Sequence, residues 1–195
     1  GLTADDFVVR EDGRPQRVVV FAEGTFPLTV VLAVDRSWSM AGEPLRQAKR
    51  AATGFLRALR ETDRSTVIST GADAEVVAPM TASREEQIRA VEGLTAWGTT
   101  ALYDAVIGGL EGLQHQSGRL VLILFSDGRD RYSQANVVEV LAAARRTTAL
   151  VYPVEIGSPA PSPVLLEVAA LTGGRLFHVG RAAALPAALE TLAGG

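Results

Sequence analysis

The 195-residue chain contains no cysteine. That absence excludes disulfides, thiol catalysis and thiolate-bound zinc, and it suits either side of a membrane. Histidine is almost as scarce, with only His115 and His178, too few imidazoles for most zinc sites. Lys49 is the sole lysine, and no Gly-Lys-Ser/Thr follows a glycine loop, so a phosphate-binding loop of that type is excluded. No run approaches the ~18 consecutive apolar residues of a membrane span, and no basic-then-apolar leader opens the chain. The opening Gly1-Leu2-Thr3 reads like the interior of a longer protein, so the missing leader says nothing about location. A net charge of −3 disfavours nucleic acid or an anionic membrane surface as the main partner. Any metal chemistry must therefore use oxygen ligands.

What is present is an ordinary globular composition, 47% hydrophobic and 21% charged, in a chain long enough to bury a sizeable core unaided. Leu28 to Val34 and Leu120 to Phe125 are continuous apolar runs of strand length, the pattern of strands buried on both faces of a parallel sheet. Leu45, Ala48, Ala52, Phe55, Leu56 and Leu59 recur at helical spacing, predicting a helix over 44–60 with Pro44 in its first turn. Ser83 and Glu86 form a capping-box pattern opening a helix to about Gly93. Leu102, Ala105, Val106, Gly109, Leu110 and Leu113 mark a third helix face, and further helices are predicted over 134–147, 163–171 and 182–193. Shorter strands are predicted at Ser65–Thr70, Glu75–Ala78, Ala149–Glu155 and Arg175–His178, the first two joined closely enough to make one antiparallel edge. The alternation predicts a Rossmannoid, doubly wound, mostly parallel α/β sheet over 26–195. A short β-hairpin and linker precede it over 1–25.

Both long strands end in an aspartate, Asp35 and Asp127, and ligands bind at the carboxyl ends of strands in such sheets. Taken singly, each aspartate also reads as a loop or helix cap. Asp35 is followed by Ser37 and Ser39, and in extended backbone alternate side chains point the same way, so three oxygens could converge. Such a set suits magnesium or manganese better than zinc or copper. Ser39 alone could instead cap the next helix.

Three motifs in order resemble the metal-ion-dependent adhesion site of the von Willebrand factor type A domain family. They are Asp35-Arg36-Ser37-Trp38-Ser39-Met40, Gly98-Thr99-Thr100-Ala101-Leu102-Tyr103-Asp104-Ala105 and Phe125-Ser126-Asp127-Gly128-Arg129-Asp130. Leu166-Glu167-Val168-Ala169 and Thr172-Gly173-Gly174-Arg175-Leu176-Phe177 resemble the family's closing helix and edge strand. The resemblance covers about residues 26–194. It implies a metal set of Asp35, Ser37, Ser39, Thr100 and Asp127 holding Mg2+, with Mn2+ or Ca2+ as alternatives. It also implies a non-enzymatic adhesion module whose ion accepts an Asp or Glu carboxylate from a partner protein.

Trp38 stands where the family usually has glycine, either as a wall selecting partners or packed on a neighbouring loop near Trp97. Trp38, Thr99 and Arg129 are the candidate partner contacts. Thr100 could also cap its helix, Asp104 reads as complementing that helix's dipole, and Arg129-Asp130-Arg131 reads as a solvated loop. Leu2-Thr3-Ala4-Asp5-Asp6-Phe7 and Glu11-Asp12-Gly13-Arg14-Pro15-Gln16 resemble the stretch preceding this domain in some bacterial secreted or envelope proteins, implying an extracytoplasmic setting. Two alternatives stay open: a scaffold with an empty site, and a magnesium-dependent phosphotransfer enzyme using Asp35 as nucleophile. The second lacks a neighbouring acid and a nearby lysine.

Overall fold

A computed structural model describes residues 6–17, 26–71 and 73–179. The chain forms a six-stranded sheet flanked by helices, preceded by a separate two-stranded hairpin. In the hairpin, β1 (Val9–Glu11) and β2 (Arg14–Gln16) pair antiparallel. Asp12 and Gly13 turn between them with φ of 48° and 78°, the two positive angles that match a tight turn to the strands' twist. The hairpin's strand residues are all exposed, so nothing of it contributes to the core.

The main sheet follows the alternation expected. It comprises β3 (Leu28–Asp35), β4 (Arg64–Thr70), β5 (Ala74–Thr81), β6 (Arg119–Ser126), β7 (Leu150–Ile156) and β8 (Phe177–Val179). They lie in the order β5-β4-β3-β6-β7-β8, all parallel except the edge strand β5, which returns antiparallel on β4. The helices are α1 (Glu43–Ala58), α2 (Arg84–Gly93), α3 (Leu102–Leu113), α4 (Val137–Arg146) and α5 (Pro163–Thr172). All eight residues of β3 are buried, which is why its sequence does not alternate. Val30, Leu32 and Val34 pack with Leu45, Ala48, Phe55 and Leu56 of α1. Val31 and Ala33 face the other way, onto Leu102, Val106 and Leu110 of α3. Each such large side chain removed from water contributes roughly 1.5–3 kcal/mol, so the two-sided core fixes β3 and β6 as the centre of the molecule.

At α2 the local capping signal differs from the outcome. Ser83 occupies the position before α2, but its hydroxyl makes no capping bond; its backbone N–H instead donates to Thr81 Oγ1 at 3.0 Å. The capping box forms at α4, where Asn136 accepts from Val138 N and Glu139 N while Glu139 accepts from Asn136 N. The predicted helix over 182–193 and most of the segment before residue 26 lie outside the described residues.

Candidate functional site

Strand order reverses between β3 and β6: the chain runs from β3 outward to β4, and from β6 outward to β7. Loops leaving those two strands diverge, opening a crevice at their carboxyl ends. Asp35 is the last residue of β3 and Asp127 the first after β6, so the crevice receives both. Asp35 is fully buried. Its Oδ1 accepts from Ser37 N at 2.9 Å and its Oδ2 from Ser126 Oγ at 2.7 Å. The Ser37 and Ser39 hydroxyls lie 3.0 Å apart. Asp127 Oδ1 accepts from Arg129 N at 3.2 Å, and its other oxygen is 4.0 Å from Arg129 Nε.

Thr100 arrives on a second loop that is stitched to the other two. Trp38 N donates to Gly98 O at 3.1 Å and Trp97 N to Arg36 O at 2.7 Å, tying the first loop to the second. Thr100 O accepts from Arg131 N and Tyr132 N at 3.0 and 3.1 Å, tying the second to the third. The Thr100 side chain is buried. The five candidate ligands therefore sit on three loops that brace one another.

Several local readings need correcting. The segment after Asp35 is not extended: Trp38–Met40 forms one 3-10 turn, and this turn brings the Ser37 and Ser39 hydroxyls together. Ser39 is exposed and does not cap α1, whose preceding residue is Gly42. Thr100 does not cap α3 either. The N–H groups of Leu102 and Tyr103 are taken by Asp130 Oδ1 at 2.8 and 3.2 Å, and Ser133 Oγ accepts from Tyr103 N and Asp104 N. Asp130 is thus half-buried helix-capping machinery rather than part of a solvated loop. Asp104 does more than complement a dipole: its carboxylate accepts from Gln134 N and Ala135 N, holding the approach to α4. Trp38 is 64% exposed, so it does not pack away. Asp12 is the one non-glycine residue with positive φ among those described, so the indole imposes no backbone strain where glycine is usual. Thr99 is half-buried and Arg129 exposed.

Two site residues were missed. Ser126 donates to Asp35 and accepts from Gly128 N at 3.1 Å, joining the strand ends. Glu155, at the end of β7 beside Ser126, is fully buried; Oε1 accepts from Ser162 N at 2.8 Å and Oε2 has no partner. Gly128, with φ of 79°, lies against it so closely that a Cβ there would come within 2.8 Å of Glu155 Oε1. Any side chain at position 128 would be strained by the angle and blocked by the carboxylate. A lone acid in the otherwise apolar run of β7 was the available signal.

The electrostatics follow from burial. Loss of hydration pushes the Asp35 carboxyl up to about 6, against hydrogen bonds from Ser37 and Ser126 that pull it down, with Asp127's charge adding to the rise. Burial likewise raises Glu155, opposed by the Ser162 N–H. No basic side chain pairs with Asp35 among the described residues. No group of three or more His, Asp or Glu side chains is arranged for a metal among those residues either, so an ion here would depend on hydroxyls. Two carboxylates with Ser37, Ser39 and Thr100 hydroxyls form a hard oxygen set, which fits a magnesium-class cation and not a soft metal. Lys49 is spent elsewhere, donating to Glu92 O and Leu94 O at the end of α2.

A family model for the von Willebrand factor type A domain matches residues 30–129, just over half of the chain, and the chain belongs to that family. An uncharacterized protein of Synechocystis sp., sll0103, is 28% identical over 163 residues, covering 78% of this chain and 38% of its own length. The chain thus spans well under half of that relative. Among solved structures, a von Willebrand factor type A protein from Catenulispora acidiphila superposes with a TM-score of 0.71 at 22% identity, covering 86% of this chain and 42% of its own. The vWF domain of the type V pili tip protein Mfa5 from Porphyromonas gingivalis gives 0.69 at 13% identity, covering 88% and 95%. These likenesses establish the fold, in a family that often mediates protein interactions.

Proposed function

We propose that this domain is a metal-dependent protein-binding module. Asp35, Ser37, Ser39, Thr100 and Asp127 would hold a single Mg2+ or Mn2+, with Ca2+ a poorer fit to a hydroxyl-rich set. When bound, the ion supplies an electrophilic coordination position for an Asp or Glu carboxylate of a partner protein. The observation that carries this reading is a fully buried Asp35 with no basic partner among the described residues, set beside two hydroxyls 3.0 Å apart. The protein residues serve as scaffold: Ser126 orients Asp35, and the inter-loop backbone bonds hold Thr100 against the other loops. The likeness to a pilus-tip domain and the bacterial envelope-type motif at the start favour an extracytoplasmic setting within a larger protein. No helix among the described residues is long and apolar enough to cross a membrane. Trp38, Thr99 and Arg129 would contact the partner.

Calorimetric titration with MgCl2 and MnCl2 tests the reading. One saturable ion per chain is expected, weakened roughly 10- to 100-fold by Ser39→Ala or Thr100→Ala. Titrations without saturable heat, or affinities unmoved by both substitutions, would overturn it.

A further inference from the structure

The three loops share a second property that the metal set does not require. Each lifts one large aromatic side chain into solvent: Trp38 at 64% exposure, Trp97 at 52% and Tyr132 at 64%. Aromatic residues make up only 6% of the chain, and both of its tryptophans are here. The remaining exposed aromatic side chains among the described residues are Phe7, just before β1, and Phe26, on the chain entering the amino end of β3. The backbone bonds already described make the three loops neighbours. Trp38 N and Trp97 N each bond across the first two loops, and Tyr132 N bonds to the carbonyl of Thr100 itself. The Arg36 guanidinium lies over the Trp97 ring at 5.4 Å and fixes it from below. The exposed charges on these loops are both positive, Arg129 and Arg131. Asp127 is buried and Asp130 is engaged at α3.

We propose that Trp38, Trp97 and Tyr132 form an aromatic rim that selects a protein segment whose acidic residue is flanked by large apolar side chains. The proposal rests on the metal-and-carboxylate reading and narrows it. The ion alone would accept the carboxylate of any exposed Asp or Glu; the rim adds desolvated contact area to either side of it. Trp, Tyr and Arg around a central polar anchor is the composition that concentrates binding energy at interfaces. The two arginines complement the acidic residue during approach.

The test is a displayed library of cyclic peptides with a fixed central Asp and randomised flanks, panned on the full chain in Mg2+ and eluted with EDTA. Enrichment of aromatic and branched apolar flanks is expected. Synthetic copies should lose about tenfold in affinity on Trp38→Ala or Trp97→Ala and several-fold on Tyr132→Ala, with phenylalanine at either tryptophan position restoring most of the loss. Val138→Ser, on the exposed face of α4, should leave affinity unchanged. Because both tryptophans lie on the rim, their emission should shift to the blue as peptide binds. A Mg2+ titration of each variant separates lost ion from lost rim. EDTA-eluted peptides with unbiased flanks, or affinities that survive all three alanine substitutions, overturn the rim and leave the metal reading standing. An absence of EDTA-eluted clones overturns the metal reading, and the rim with it.

Discussion

Two aspartates lie at opposite ends of β3, equally hidden from solvent and oppositely served. At the amino end, Asp63 accepts from Leu28 N and Arg60 N at 2.8 Å each and from the Arg60 guanidinium at 3.2 Å. Burial alone would raise its carboxyl, but Arg60 and the two backbone N–H groups together hold it below the ordinary aspartate range. At the carboxyl end, Asp35 receives one backbone N–H and one hydroxyl, no cation, and rises to about 6. The fold supplies a cation to the acid that closes a structural joint. It supplies none to the acid in the crevice. That asymmetry distinguishes a stabilising carboxylate from one suited to an ion arriving from solution.

The sharpest way to break the comparison is substitution without metal. Asp63→Ala strips the acceptor from Leu28 N and leaves Arg60 facing a gap, and is expected to cost about 3–5 kcal/mol in urea unfolding, with or without Mg2+. Asp35→Asn should do the reverse in EDTA at pH 8. It removes a charge on a carboxyl that burial pushes up to about 6, so the metal-free protein should gain about 1–3 kcal/mol while ion binding is lost. If Asp35→Asn destabilises the metal-free fold as much as Asp63→Ala does, the two acids are alike and the distinction fails.

The pH profiles should separate the same pair with opposite signs. Asp63 has a folded value below its unfolded one, so its stabilisation is full above about pH 4 and is lost as pH falls further. Asp35 has a folded value of about 6, above its unfolded one. Its cost to the metal-free protein is therefore absent below about pH 4, grows through the interval to 6, and is complete above it. Protons and a cation compete for the same oxygens, so the rise in Tm caused by Mg2+ should be largest above pH 6 and shrink below it. A Mg2+-induced rise that stays constant from pH 8 to pH 5 would remove Asp35 from the ion's ligands.

Most of the architecture was legible because it is written in local patterns. The apolar runs of β3 and β6, each closed by an aspartate, and the i, i+3, i+4 faces of α1 and α3 lie within single segments. What escaped joins residues far apart in the chain. Asp130 and Ser133 cap α3 from another loop, so a helix start lacking its own cap, with Ala101 at that position, could not name its donors. The spacing of Asp35, Ser37 and Ser39 was read as extended backbone, whereas Trp38–Met40 makes a short 3-10 turn that sets the Ser37 and Ser39 hydroxyls 3.0 Å apart. Alternation in a strand and a short 3-10 turn can both gather three oxygens, and the sequence does not distinguish them. Trp38 has no positive φ, so the backbone at that position does not call for glycine's freedom.

Glu155 is a further buried acid and gives the finest test, because it sits between the two extremes. Like Asp63 it has a backbone donor, Ser162 N, and the charge of His178 also pulls it down; like Asp35 it forms no salt bridge among the described residues, and one of its oxygens is unpartnered. It presses on Gly128, the residue after Asp127, and the two carboxylates feel each other's charge. Glu155→Gln keeps an acceptor for Ser162 and the volume beneath Gly128 while deleting the charge. If Glu155 acts on the ion only as a neighbouring negative charge, Mg2+ affinity should fall two- to fivefold, on the order of 0.5–1 kcal/mol for a charge acting across several ångströms. That loss should diminish as salt is raised, since screening weakens a field more than a bond. A loss of tenfold or more that salt leaves untouched would instead make Glu155 a direct ligand. The unpartnered Oε2 would then belong to the ion, and the crevice would hold three carboxylates in place of two.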